Sequence, residues 1–276
     1  MSGVVGDITR GTTNPNRLRR VDRWVLHQVC STIRKSNDPL VVDLGYGALP
    51  VTTKEMFDRL CKHVRPDVEV VGIEIDPDRV QEAKPIEEPG LSFKYGGFEI
   101  PTGDRKPIMI RAFNVLRQYD ESEVLEAWQT MTNRLAPKGY LVEGTCDEIG
   151  RRSVWVSLRV GQSEPETITF STHIGSLDKP SDLAPRLPKV LIHRNVPGEK
   201  IYEFLQAFDR AWLSQSGLIP FGSRQRFVAA VEQLATQYPI LDNKVRWRLG
   251  EVTVPWHVVM QTDQPQNVQL TAPTCD

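Results

Sequence analysis

Two short apolar runs constrain this chain more than anything else in it. Val41-Val42-Asp43-Leu44-Gly45-Tyr46-Gly47 and Val70-Val71-Gly72-Ile73-Glu74-Ile75-Asp76 each read as a buried strand that ends in ligand-holding chemistry. The first stops in a loop whose glycines let the backbone come close to a ligand. The second delivers Glu74, a carboxylate able to accept both hydroxyls of a ribose. A helix between them makes the strands parallel neighbours at the carboxyl edge of an open α/β sheet, where such folds bind ligands. The pair points to a nucleoside.

Which nucleoside is decided by what the loop lacks. A dinucleotide fingerprint needs a third glycine where Pro50 stands, and Asp43 would face any phosphate. No Gly-Lys-Ser/Thr follows, which excludes a phosphate-binding P-loop. The Asp-x-Gly-x-Gly run followed by an acid at the end of the second strand resembles class I S-adenosylmethionine-dependent methyltransferases, over roughly residues 38–145. The resemblance implies S-adenosylmethionine as cofactor. Asp43 would orient the loop and meet the cofactor's ammonium directly or through water, Gly45 and Gly47 would give it room, and Glu74 would hold the ribose. Many family members read the adenine amino group with an Asp after the third strand. Here that stretch is Gly96-Gly97-Phe98-Glu99, which leaves Phe98 to stack on the base.

At 276 residues and 39% hydrophobic the chain can bury one large core or a core with a satellite. Its formal net charge of -1 gives no global field toward nucleic acid or acidic lipid. Residues 1–36 are locally basic, with Arg10, Arg17, Arg19, Arg20, Arg23, Arg34 and Lys35 against Asp7 and Asp22, so RNA stays a minority expectation. Cys30, Cys61, Cys146 and Cys275 lack metal-ligand spacing and indicate neither zinc nor a disulfide framework, in keeping with a reducing cytoplasm. No apolar run reaches the ~20 residues of a membrane span, and no signal-peptide core begins the chain.

Along the chain, glycine-rich residues 1–16 read as an arm, and Leu18, Val21, Val25, Val29 and Ile33 as the stripe of one helix, so 1–36 form an N-terminal helical arm. Thr52 and Glu55 suggest a capping box for the crossover helix. Asp76-Pro77 reads as N-cap and first helical position, leaving Glu74 for the ligand. Leu91–Tyr95, 107–113 and Tyr140–Gly144 supply three further strands, and Asp120 with Glu123 caps the helix carrying Val124, Trp128, Met131 and Leu135. Residues 153–172 alternate as a β-hairpin, whose place in the sheet the pattern leaves open, because 145–152 are too few for the usual intervening helix. Two helical stripes, from Ile201 to Trp212 and from Phe227 to Leu234, follow a proline-rich loop, and 246–256 reads as a returning strand. The expected organisation is α/β: a doubly wound, Rossmann-like methyltransferase core over 37–175 with the N-terminal arm. A C-terminal helical addition over 176–260 belongs to the same domain, and 261–276 form a disordered tail.

Methyl transfer asks mainly for geometry, because the sulfonium already activates the methyl group. Asn114, at the end of the fourth strand, is the candidate catalytic residue, although the Asn/Asp-Pro-Pro-Tyr/Phe motif of amide and exocyclic-amine methyltransferases is absent. Cys146 lies where RNA cytosine methyltransferases carry a Thr-Cys, but their Pro-Cys is missing, so a structural cysteine is expected. The expected substrate is a small molecule. The alternatives are a non-catalytic S-adenosylmethionine-binding protein, an RNA methyltransferase and, least favoured, an aminopropyltransferase. The segment Arg10–Arg17 is expected to fold over the pocket mouth as a lid.

Overall fold

The computed structural model describes residues 3–8 and 11–261. In chain order the elements are α1 (Arg19–Gln28), α2 (Cys30–Arg34), β1 (Leu40–Leu44), α3 (Val51–His63), β2 (Glu69–Glu74), α4 (Pro77–Ala83), β3 (Leu91–Tyr95), β4 (Met109–Phe113), α5 (Glu121–Arg134) and β5 (Tyr140–Cys146). They continue with β6 (Arg152–Arg159), β7 (Thr167–Thr172), α6 (Lys189–Ile192), α7 (Lys200–Ser214), α8 (Ser223–Leu234), α9 (Lys244–Trp247) and β8 (Glu251–Pro255).

Among the described residues, eight strands form one sheet in the order β3-β2-β1-β4-β5-β6-β7-β8. The first five are parallel and the last three antiparallel. The chain direction across the sheet reverses between β1 and β4, which opens a crevice at their carboxyl ends. The predicted hairpin is β6 and β7. It joins directly at β5 as an antiparallel meander, with Cys146 opposite Ser153, because so short a link can only turn the chain back beside the strand it leaves.

Alternation along the strands separates two apolar layers. Val41, Val70, Phe93, Met109 and Val142 face α1 to α4, while Val42, Ile73, Ile110, Leu141 and Val156 face α5, α7 and α8. Both sides of the parallel half are thus covered, as its uninterrupted apolar strands require.

Several local expectations need correction. The N-terminal stripe is buried at every expected position, but the helix breaks at Val29 into α1 and α2. The capping box at Thr52 does not form: α3 begins behind Pro50 without a side-chain cap, and Glu55 instead accepts from Asn16 N at 2.8 Å. Asp76 and Asp120 cap α4 and α5 as read. Residues 246–256 divide into the end of α9 and β8, and the proline-rich loop contains a 3-10 segment, Pro180–Arg186. Cys30 is disulfide-bonded, which cysteine spacing did not indicate, while Cys61 and Cys146 are free thiols. Among the described residues no helix is long and apolar enough to cross a membrane, and no His/Cys/Asp/Glu group is arranged to hold a metal ion. The tail expectation lies outside the described residues apart from Gln261.

Candidate functional site

The loop after β1 sits at the reversal point of the sheet. Gly45 and Gly47 adopt φ of 70° and 82°, the left-handed region that a side chain disfavours. A Cβ on Gly47 would also lie 2.8 Å from the carbonyl oxygen of Gly11. What approaches this loop so closely is the chain's own arm. Ala48 N donates to Gly11 O at 2.7 Å, and Thr13 Oγ1 donates to Tyr46 O at 2.8 Å. Asn14 and Arg17 continue across to the turn after β5, donating to the carbonyls of Glu148 and Asp147. Residues 11–17 therefore bridge the ends of β1 and β5. Arg10 lies outside the described residues.

Under this bridge is a cavity of about 400 Å³, lined by Thr12, Arg17, Gly45, Gly47, Asn114 and Arg117 among others. A second, adjoining cleft is bounded by Gly45, Glu74, Gly97 and Phe98, but only about 20 Å³ of it is open, room for roughly one water. Val5, Gly6 and Asp7 fill the rest. Phe98 N donates to Val5 O at 2.9 Å, Val5 N donates to Glu99 Oε2 at 3.0 Å, and Asp7 N donates to the Tyr119 hydroxyl. The structure thus brings Gly45, Gly47 and Asn114 to one cavity and Glu74 with Phe98 to its neighbour, with Gly45 common to both.

Glu74 is 1% exposed and fully engaged. Its Oε2 accepts from Gly47 N at 2.9 Å, and its Oε1 accepts from Ile75 N at 3.0 Å and Asp76 N at 3.3 Å, with Arg79 Nη1 3.7 Å away. The acid therefore ties β2 to the glycine loop and stands where both clefts meet. Phe98 packs edge-on against Tyr119, ring centroids 5.4 Å apart.

Asp43 lines the larger cavity and is also held in a charge network that sequence reasoning missed. It lies opposite Arg111 in the β1–β4 register, and the guanidinium meets it through Nε at 2.8 Å and Nη2 at 2.7 Å. Thr53 of α3 adds a 2.6 Å bond to the same carboxylate, and Arg111 also pairs with Asp22 of α1, itself bonded to Arg59. Arg111 is completely buried. Burial opposes its charge, but the Asp43 and Asp22 carboxylates outweigh burial and hold it above its ordinary acidity range, while burial pushes the Asp22 carboxyl up. A signal was present: an arginine inside the apolar run Met109-Ile110-Arg111-Ala112-Phe113 needs a buried acid beside it.

Asn114 reaches the cavity with φ of 60°, a conformation asparagine tolerates. Its amide clamps β4 to β5: Cys146 N donates to Oδ1 at 3.0 Å, and Nδ2 donates to Cys146 Sγ at 3.2 Å. Burial pushes the Cys146 thiol up despite Arg17 and Asn114, so the thiolate a nucleophile needs is suppressed.

No family model matches the chain, and no curated protein matches it. Among solved structures it is similar to human N-acetylserotonin methyltransferase in complex with SAM, at 19% identity over 45% of this chain and 33% of that one, TM-score 0.34. A TehB-like SAM-dependent methyltransferase from Corynebacterium glutamicum matches at 19% identity over 47% and 61%, TM-score 0.33. LepI in complex with SAM matches at 15% over 43% and 31%, TM-score 0.35. The chain spans less than two thirds of each of these proteins, and a likeness of that size assigns no activity.

Proposed function

We propose that the chain binds S-adenosylmethionine across the two adjoining clefts and transfers its methyl group to a small molecule. The observation that carries this reading is the placement of the Glu74 carboxylate, at the end of β2 and bonded to the glycine loop that ends β1. A ribose seated at that junction takes over the acceptor capacity now spent on Gly47 N, and Phe98 offers the adjoining ring face. The acids that border the clefts, Glu74 and Asp43, suit a ligand with a cationic centre. Arg17, in the wall of the larger cavity, supplies donors for an amino-acid carboxylate. Bound there, the cofactor supplies a methyl group already activated by its sulfonium. The chain's own contribution is alignment and exclusion of water beneath the 11–17 bridge. Asp43, in the wall of the larger cavity and held by Arg111 and Thr53, supports the loop and meets the cofactor's ammonium directly or through water.

Titration calorimetry of the full chain with S-adenosylhomocysteine tests the reading. Glu74→Ala should weaken binding by about 1.5–3 kcal/mol, the range for hydrogen bonds to a charged group. NAD and ATP should not compete. Absence of binding by the unaltered chain at about millimolar nucleoside overturns the proposal.

A second reading, cofactor binding without transfer, draws on Asn114, whose amide is committed to Cys146 at both ends. Retained binding with no methyl group passed from labelled cofactor to any acceptor supports it. The RNA reading loses ground because the N-terminal arginines turn inward: Arg17 donates to Asp147 O, and Arg20 donates to Leu249 O.

A further inference from the structure

We propose that Arg117, in the wall of the larger cavity beyond Asn114, and the neighbouring Arg186 form an oxyanion site with their guanidinium groups, and that it holds a carboxylate or phosphate monoester of the methyl acceptor. The proposal depends on the S-adenosylmethionine reading only for which end of the cavity the acceptor enters.

Arg117 stands on the turn Leu116–Gln118, three residues beyond Asn114, and lines the cavity with it. Arg186 ends the 3-10 segment Pro180–Arg186, by which the C-terminal part of the chain reaches the end of β5. The two arginines are coupled through this segment: Arg117 Nη1 donates to Pro185 O at 2.6 Å, and Arg186 Nη1 donates to Cys146 O at 3.5 Å. Among the described residues no carboxylate lies within 4.0 Å of either group. Other arginines are treated differently. Arg152 meets Asp182 of the same segment at 3.6 Å, and the buried Arg111 and Arg246 pair with carboxylates. Asp147 of the adjacent turn is engaged elsewhere, because both its carboxylate oxygens accept from the backbone N–H groups of Arg151 and Arg152.

Two like charges have therefore been brought together with one backbone carbonyl each. Burial, and then the charge of Arg186, lowers the Arg117 guanidinium from its ordinary value. Each guanidinium carries five N–H donors in a planar fork, so most of that capacity stays free for the two oxygens of an anion. An oxyanion between them replaces repulsion with two charge-assisted contacts. A neutral acceptor of the same shape leaves the repulsion in place.

The test saturates the full chain with S-adenosylhomocysteine, so that the cofactor's own carboxylate is already placed. It then compares benzoate with benzamide and phenyl phosphate with phenol by NMR titration of arginine Nε–H signals. The expected result is a preference of about tenfold for at least one anion over its neutral partner. That preference should vanish in Arg117→Gln/Arg186→Gln and survive in Arg224→Gln, remote on α8. The carboxylate and phosphate arms identify which anion is taken. If the double variant does not fold, Arg186→Gln alone decides, with Arg186→Lys expected to restore part of the preference. Equal binding of charged and neutral probes, no binding of any probe up to about 20 mM, or a preference that survives the double variant overturns the proposal. Failure of S-adenosylhomocysteine to bind while the anion preference persists overturns the cofactor reading and leaves the oxyanion site standing.

Discussion

Glu143 sits in the middle of β5, 3% exposed, with the Trp128 indole beside it but short of a full hydrogen bond. Burial raises its carboxyl from the ordinary carboxylate range up to about 8. The folded state therefore holds a proton that the unfolded chain releases from about pH 4.5 upward. Its contribution to stability is fully present below that pH and is lost as pH rises through about 8. By about pH 8.5 the loss is on the order of a few kcal/mol. Glu143→Gln should raise the thermal midpoint by several degrees at about pH 8.5 and by little at about pH 5. Equal shifts at both pH values, in melts followed by circular dichroism, would show that ionisation of Glu143 is not what the fold pays for. Such a residue is illegible in sequence, since Tyr140-Leu141-Val142-Glu143 reads equally well with the acid on a solvent face. Asp43 was legible in position, but its protein partners were not. The Asp-x-Gly-x-Gly spacing located it, yet its bonds to Arg111 and Thr53 depend on the β1–β4 register.

At the scale of elements, the arm divides into two parts with opposite consequences for the site. Residues 11–17 brace the glycine loop through Gly11 and Thr13, whereas Val5 to Asp7 occupy the cleft beside Glu74. A nucleoside in that cleft has to displace the second part while keeping the first. Deleting residues 1–8 should accordingly tighten S-adenosylhomocysteine binding by about tenfold, since few hydrogen bonds are surrendered on entry. Deleting 1–16 should undo the gain by freeing the loop. Calorimetry on the two truncations decides: equal affinity of the 1–8 deletion and the full chain would mean that the segment does not compete. The sequence anticipated an arm over the pocket from its glycines and its attachment to α1. It did not anticipate which residues enter, because the docking uses backbone groups such as Val5 O on Phe98 N, which carry no side-chain signature. The capping box at Thr52 failed for a related reason. Arg111 Nη2 donates to the Thr52 carbonyl at 3.0 Å, so this turn is organised by the buried arginine across the sheet, not by its own local sequence.

For the whole molecule, the informative half of the sequence is not a self-sufficient half of the structure. The parallel strands and their crossovers were readable because each is short, apolar and bounded by turn residues. The antiparallel β6 to β8 and the helices after them carry no ligand motif, so their patterns gave elements without a destination. The structure supplies it: Leu141, Val156, Ile168, Phe170, Phe204, Phe208 and Val254 belong to one apolar cluster with Leu40, Val42 and Ile110 of the parallel strands. Helices α7 and α8 thus cover, beyond α5, the sheet face that the parallel strands begin. The edge of β5 is likewise paired along its whole length by β6, from Tyr140 with Arg159 to Cys146 with Ser153. A fragment ending at residue 150 keeps every residue of the proposed cofactor site but strips this cover, exposing a central strand edge and much of an apolar face. It should not fold alone: expressed by itself it should aggregate or lack a cooperative melt, whereas a chain ending at residue 261 should melt cooperatively. A soluble 1–150 fragment with a sharp transition and retained S-adenosylhomocysteine binding would show that residues 151–261 are an appendage. The shared cluster argues instead that they are the other wall of the core on which the site is mounted.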